Sequence, residues 1–200
     1  MNLTVFLNAF TSYFVIIDPI GAALLFYSLT LGRTFQQRLK LIGKSVVIAA
    51  TIILLFGWLG ERLLTTLGIS MDALRVAGGI LLFNTAFRMI TSAPLPDKPT
   101  ERPVGDISVY PMAIPLMAGP GTLTLTVLLM ADATGIGGQA TVLSAALLVL
   151  LITLSLALLA THIRKLIGKT GDEIIQRLLG VILAALAIQF VANGVIGLML

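Results

Sequence analysis

The sequence predicts an all-α polytopic membrane protein of six transmembrane helices, arranged as two inverted three-helix repeats with helices one and four broken. Three observations carry that expectation. Apolar residues make up 58% of the 200 and charged residues 11%, with a mean hydropathy of +1.05, whereas soluble domains carry about 25% charge. Six stretches are long and apolar enough to cross a bilayer core, which takes about 20 residues at 1.5 Å each. Two motif pairs recur at nearly one offset along the chain. A soluble fold of this size cannot hide so much apolar surface. The composition therefore excludes a soluble enzyme, a disulfide-stapled secreted module and a disordered chain.

Read from charge to charge, the spans are residues 3–31, 43–64, 71–91, 109–131, 137–161 and 174–200. The first would run about 43 Å as an unbroken helix, so it is tilted, broken or partly interfacial. No Lys or Arg precedes it, the first basic residue being Arg33, so it reads as a retained span and not a cleaved signal peptide. In the third span only residues 76–87 are uncharged, and Arg75 and Arg88 are expected to snorkel toward headgroups. Residues 93–107, with Pro94, Pro96, Pro99 and Pro103, form a connector between repeat one (1–92) and repeat two (108–200) of a single transmembrane domain (1–200). The loops after spans one, three and five share eleven Lys and Arg residues, against Arg62 and Arg75 on the other side. The positive-inside rule then places the connector in the cytoplasm and both termini outside, in a multi-pass protein of the cytoplasmic (inner) membrane. Trp58 falls at the outer interface, where an aromatic ring is favoured.

The repeat rests on two matches. Asp18-Pro19 and Gly119-Pro120 lie 101 residues apart, each near the middle of its span. Arg75-Val-Ala-Gly78-Gly-Ile80-Leu81 parallels Arg177-Leu-Leu-Gly180-Val-Ile182-Leu183 at an offset of 102. A duplicated unit of three spans enters the membrane from opposite sides, because three is odd. The result is an inverted repeat of the kind found in secondary transporters.

Nine acidic residues are present; eight lie in or beside loops, and the ninth, Asp18, falls at the centre of span one. A lone carboxylate at bilayer depth costs about 2.5–3.5 kcal/mol on insertion scales. Asp before Pro is also a helix-start signature, so Asp18 reads both as a cap and as a group that binds a proton, a cation or substrate. Pro19 and Gly21 break span one, while Pro111, Pro115, Gly119, Pro120 and Gly121 break span four more strongly. Irregular backbone at this depth is tolerated only where protein buries it or it lines a watery cavity. Each break starts a half-helix, and the inverted plan aims both N-termini at one midplane pocket. The N–H groups of Ile20, Gly21, Gly121 and Thr122 are expected to face an anion such as a carboxylate there. The substrate-binding set is therefore Asp18, Pro19, Ile20, Gly21, Gly119, Pro120, Gly121 and Thr122, with Asp18 as the ion-coupling candidate.

Asn84, Thr124, Gln189 and Asn193 are candidates to line the path, although such residues also serve helix–helix hydrogen bonding. His162 reads as an interfacial residue, and residues 170–173 as a capping box opening span six. With one histidine and no cysteine, the chain offers few metal ligands, and it has no HExxH, GxSxG or P-loop pattern. Neither an enzyme nor a cofactor is expected. The basic residues orient the chain and are not interleaved with aromatics for nucleic acid.

At these motifs the chain resembles the MarC family of six-span inner-membrane proteins. The resemblance rests on Asp18-Pro-Ile-Gly21, on Gly78-Gly-Ile-Leu-Leu-Phe83 with Phe87-Arg-Met-Ile90, on Ala113-Ile-Pro115-Leu-Met-Ala-Gly119-Pro-Gly121 and on Arg177-Leu-Leu-Gly-Val-Ile-Leu183. It runs essentially the full length. The family is similar in plan to amino acid exporters of the LysE superfamily. The resemblance implies movement of small neutral amino acids such as alanine, glycine or serine, coupled to H+ or Na+, with the amino acid and membrane lipid as the partners. The family's first motif often carries Asn where this chain has Asp18. Two other classes use the same sequence features: a passive channel or lipid translocase, and a non-transporting membrane scaffold in which the prolines only shape packing.

Overall fold

The computed structural model describes residues 3–91 and 106–199, the side chains of 162–170 and 172 excepted. Most of the connector, the side chain of His162 and part of the capping box at 170–173 fall outside that set. All regular structure among the described residues is helical. Span one divides into α1 (Leu3–Ile17) and α2 (Pro19–Leu29), because Asp18 adopts a left-handed backbone (φ 47°) and Pro19 supplies the first residue of a new helix. The third helix, α3 (Phe35–Thr66), is longer than the expected 43–64. It opens on a capping box that charge-to-charge reading overlooks: Thr34 and Gln37 exchange side-chain hydrogen bonds with each other's backbone N–H. The fourth, α4 (Met71–Thr91), matches its expected bounds, with Ser70 Oγ accepting from the N–H of Ala73 at its start.

Span four is two pieces bent by 50°. The first, Ser108–Met117, is a wide and irregular coil with extended backbone at Tyr110 and Ile114, each just before a proline. The second is α5 (Pro120–Asp132), which starts after Gly119. Helical backbone then runs through α6 (Gly135–Met199), where the sequence suggests a loop after residue 161. The chain nevertheless reverses inside α6. Thr161 lies beside Arg38, Gly180 packs on Met89 and Ile90, and Gly194 meets Asp72 near the end where α6 began. Its two limbs, Gly135–Thr161 and Glu173–Met199, are each long and apolar enough to cross a membrane. With Leu3–Leu29, α3 and α4 they make five such spans among the described residues, and the bent pair is a sixth if it is counted as one.

Burial places α1, α2, α5 and the first limb of α6 at the centre, around Tyr13, Ile17, Phe26, Leu125 and Leu150, with Ile42 and Ile53 of α3 closing over them. α4 and the second limb of α6 run antiparallel as a peripheral pair around Leu82, Ala86, Leu183 and Ala187. Exposed Leu, Ile and Phe side chains cover the outside, as expected where lipid is the solvent. At one end Arg38 donates to Thr30 and Thr161 and lies over the Tyr27 ring, tying α2, α3 and α6 together. At the other end Arg75 pairs with Asp72 at 2.7 Å and Asp132 at 3.4 Å, joining α4 to the end of α5.

Lys44 and Asp106 pair at 2.5 Å on the Arg38 side. The hydrogen bond from the Lys44 ammonium, helped by the hydroxyl and N–H of Ser108, holds the Asp106 carboxyl down to about 2. A depressed folded value adds stability that is complete above the ordinary carboxylate range near pH 4 and is lost as pH falls through about 2. Acidification from about pH 5 to about pH 2 is expected to lower the melting temperature of the native protein slightly more than that of Asp106→Asn. Fluorimetric melting in detergent checks this, and equal falls would remove the pair's contribution.

Candidate functional site

The two breaks meet. α1 and α5 run antiparallel, so that Ile16 stands against Gly121 and Tyr13 bonds to Thr126, while Leu82 of α4 also packs on Gly121. α2 leaves the break toward the Arg38 end and α5 leaves it toward the Arg75 end, so their N-termini face one another across the middle of the bundle. A cavity of 400 Å³ lies there. Its lining brings together Asp18, Gly119, Pro120, Gly121 and Thr122 from the breaks and Asn84, Thr85 and Arg88 from α4. Pro19, Ile20 and Gly21 do not line it.

The two N-termini are not equivalent. The N–H of Gly21 donates to Asp18 Oδ1 at 3.0 Å, so the carboxylate at the start of α2 is the chain's own. This corrects the expectation that the Gly21 amide waits for a ligand. The capping reading of Asp18 is the one realised in the backbone, and a half-buried carboxylate remains at the cavity wall. Gly21 is glycine for space: a Cβ would fall 2.1 Å from Asp18 Oδ2. No side chain caps α5, whose preceding residue is Gly119. Glycine is again required there, since a Cβ would meet the carbonyl oxygen of Pro115 at 2.1 Å.

Among the path candidates, only Asn84 reaches the cavity. Thr124 packs against Gly78 and faces a separate apolar groove with Gly60, Leu74 and Val127. Gln189 donates to Asn193 Oδ1 at 2.7 Å on the exposed face of α6, one turn along, and neither lines the site. The bond joins them within one helix, the usual i,i+4 pairing of such amides. Arg88 is a site residue that sequence reasoning missed. Reading from charge to charge sends it toward the headgroups; it is exposed, and it also lines the cavity six residues along α4 from Leu82, about 9 Å nearer the Arg38 end. It has no ion-pair partner among the described residues. The only signal in the sequence was its place one turn beyond Asn84 on the same helix.

The arrangement offers opposite charges to one small molecule: a carboxylate at the break, a guanidinium toward one mouth, and an uncapped helix N-terminus between them. Among the described residues no group of His, Cys, Asp and Glu is placed to hold a metal ion. Compared with known proteins, residues 3–199 match the family described as "MarC family integral membrane protein". The chain is 38% identical to a "UPF0056 membrane protein" of Methanocaldococcus jannaschii, with both chains covered completely. It is 31% identical to the UPF0056 membrane protein YvbG of Bacillus subtilis, covering 99% of this chain and 97% of that one. It is 30% identical to the UPF0056 membrane protein YhcE of Escherichia coli, covering 98% and 94%. No solved structure matches.

Proposed function

The chain belongs to the MarC family of integral membrane proteins, and from that premise we propose that it is a secondary transporter of small neutral amino acids. The substrates are of alanine, glycine or serine type, moved across the cytoplasmic membrane with H+ or Na+ coupling. The observation that carries this reading is the cavity where both helix breaks meet, with Asp18 and Arg88 in one lining. A zwitterion needs one anionic and one cationic contact, and its small side chain needs little more. The substrate carboxylate rests at the uncapped start of α5, on the N–H groups of Gly121 and Thr122. Its ammonium meets Asp18, which already holds α2. Arg88 draws the carboxylate in from the Arg38 end, the end that the excess of basic residues assigns to the cytoplasm.

In this reading the chain has six spans in two inverted repeats, and one repeat moves against the other around this cavity. The two halves of span four favour a crossing over a re-entrant loop, because Asp106 pairs with Lys44 at one end and Asp132 with Arg75 at the other. The chain does no covalent chemistry in this reading.

Flux of labelled alanine, glycine and serine into proteoliposomes, with an imposed pH or sodium gradient, tests the proposal. Absence of both flux and binding across the panel would sink it. Arg88→Ala is expected to raise KM on the Arg38 side about tenfold with a smaller change in kcat, because it removes steering and leaves the central contacts. Arg88→Lys, which keeps the charge, should recover most of the loss. Initial rates at graded substrate concentrations decide this, and an unchanged KM for Arg88→Ala would remove the role.

A further inference from the structure

Two cavities stand end to end along α1 and α5. The site cavity reaches Ile16 on α1 and Thr122 on α5. A second cavity, of 510 Å³, lies toward the Arg75 end, between Val5 and Asn8 of α1, Leu129 and Asp132 of α5, and Thr141 of α6. Between them Tyr13 is fully buried, and its hydroxyl donates to Thr126 Oγ1 at 2.9 Å. Thr126 in turn donates to the carbonyl oxygen of Thr122 at 2.7 Å. Ile16 lies eight positions along α1 from Asn8, which is about 12 Å of helix. The wall between the cavities is little more than two turns thick, and Tyr13 with Thr126 stands in the middle of it.

We propose that the second cavity is the opposite vestibule of the translocation path, and that the Tyr13–Thr126 pair is the closed gate between it and the substrate site. This rests on the transporter reading and gives that site its second entrance. Three features argue for it. The second cavity is lined by polar groups, Asn8, Asp132, Thr134 and Thr141, of which Asn8, Asp132 and Thr134 are exposed at the Arg75 end, as the mouth of a watery entrance would be. The gate bond joins α1 of the first half of the chain to α5 of the second, so relative movement of the halves breaks it while leaving each helix intact. The tie of Arg75 to Asp72 and Asp132 holds the rim of this vestibule on the same side. A phenol held by one hydroxyl partner closes the wall when bonded and opens it by turning aside. A purely apolar wall has no such bond to release.

The chain has no cysteine, so single cysteines report access without background. Asn8→Cys and Ile16→Cys are introduced separately into the full chain in sealed vesicles and treated with a membrane-impermeant cationic thiosulfonate from each face. Asn8→Cys is expected to react from one face, and Ile16→Cys to resist reagent from that same face. Adding Tyr13→Phe or Thr126→Val, which delete the bond with almost no change in volume, should speed reaction of Ile16→Cys from that face about fivefold, as loss of one hydrogen bond shifts a closed state. Tyr13→Ala should speed it further. Equal reaction of both cysteines in the native background overturns the gate, as does an unchanged Ile16→Cys rate with both conservative variants. An unreactive Asn8→Cys overturns the vestibule. Labelling needs no flux, so a protein that labels as expected but carries no amino acid fails the transporter reading alone, and one that transports with unaltered labelling fails the gate alone.

Discussion

Asp18→Asn is expected to lower accumulation of labelled alanine about hundredfold while leaving the melting temperature of the protein almost unchanged. A closed site deprived of one charge-assisted hydrogen bond weakens by about that factor. The selectivity follows from geometry. Asn keeps an oxygen that can accept from the N–H of Gly21, and it tolerates the left-handed backbone that Asp18 adopts at φ 47°. Only the charge is removed. Asp18→Ala removes the cap as well and places an ordinary Cβ residue in left-handed backbone, so it should cost about 2 kcal/mol of stability in addition. Uptake and thermal melting measured on the same preparations separate the two roles. Gradient-driven accumulation by Asp18→Asn equal to that of the native protein would leave Asp18 as a cap and nothing more.

Gly119→Ala should damage both fold and activity. The added methyl meets the backbone oxygen of Pro115 at 2.1 Å, and no side chain can yield. Overpacking against flexible neighbours costs about 1–3 kcal/mol, and a clash with main chain belongs at the top of that range. The effect differs in kind from Gly121→Ala, whose Cβ meets the Leu82 side chain, at Cδ2. Leu82 can turn, so Gly121→Ala should fold more nearly normally and instead narrow the cavity. Thermal melting and alanine binding of the two variants distinguish them: loss of stability in the first, loss of binding in the second. Equal stability for both would mean that the chain relaxes around Gly119 more than its surroundings suggest.

What the sequence made legible was whatever depends on local chemistry. The bounds of α4 were readable because charged or polar residues bracket it. Both breaks were readable because proline lacks an N–H and clashes with the turn before it. Their meeting is a finding of the fold: one cavity lining holds Asp18 together with Gly119 to Thr122. Other features depend on partners far along the chain and could not be read. Apart from its place one turn beyond Asn84, nothing around Arg88 marks it as a cavity residue, because that depends on where Pro115 and Gly119 are placed, some thirty residues later. Gln189 and Asn193 have the composition of path residues, and only their pairing on one exposed helix face shows otherwise. Thr34 and Gln37 were readable in principle, as a capping box ahead of an apolar run, but counting from charge to charge starts α3 too late. The reversal within α6 left no break in helical backbone for a loop signal to mark.

The facing starts of α2 and α5 also bear on which molecules can rest between them. Two helix starts together supply about one positive unit, and the single carboxylate of Asp18 cancels it, so the centre of the protein is near electrical balance before anything enters. Arg88 stands toward the mouth, within reach of water. A solute whose own charges sum to zero joins that balance without disturbing it, whereas a solute with a surplus plus or minus adds a second unmatched unit to whatever coupling ion Asp18 takes, in the oily middle of the bilayer. If the chain carries amino acids as proposed, discrimination against lysine or glutamate is expected to need no dedicated barrier, because two dipoles and one acid already supply it.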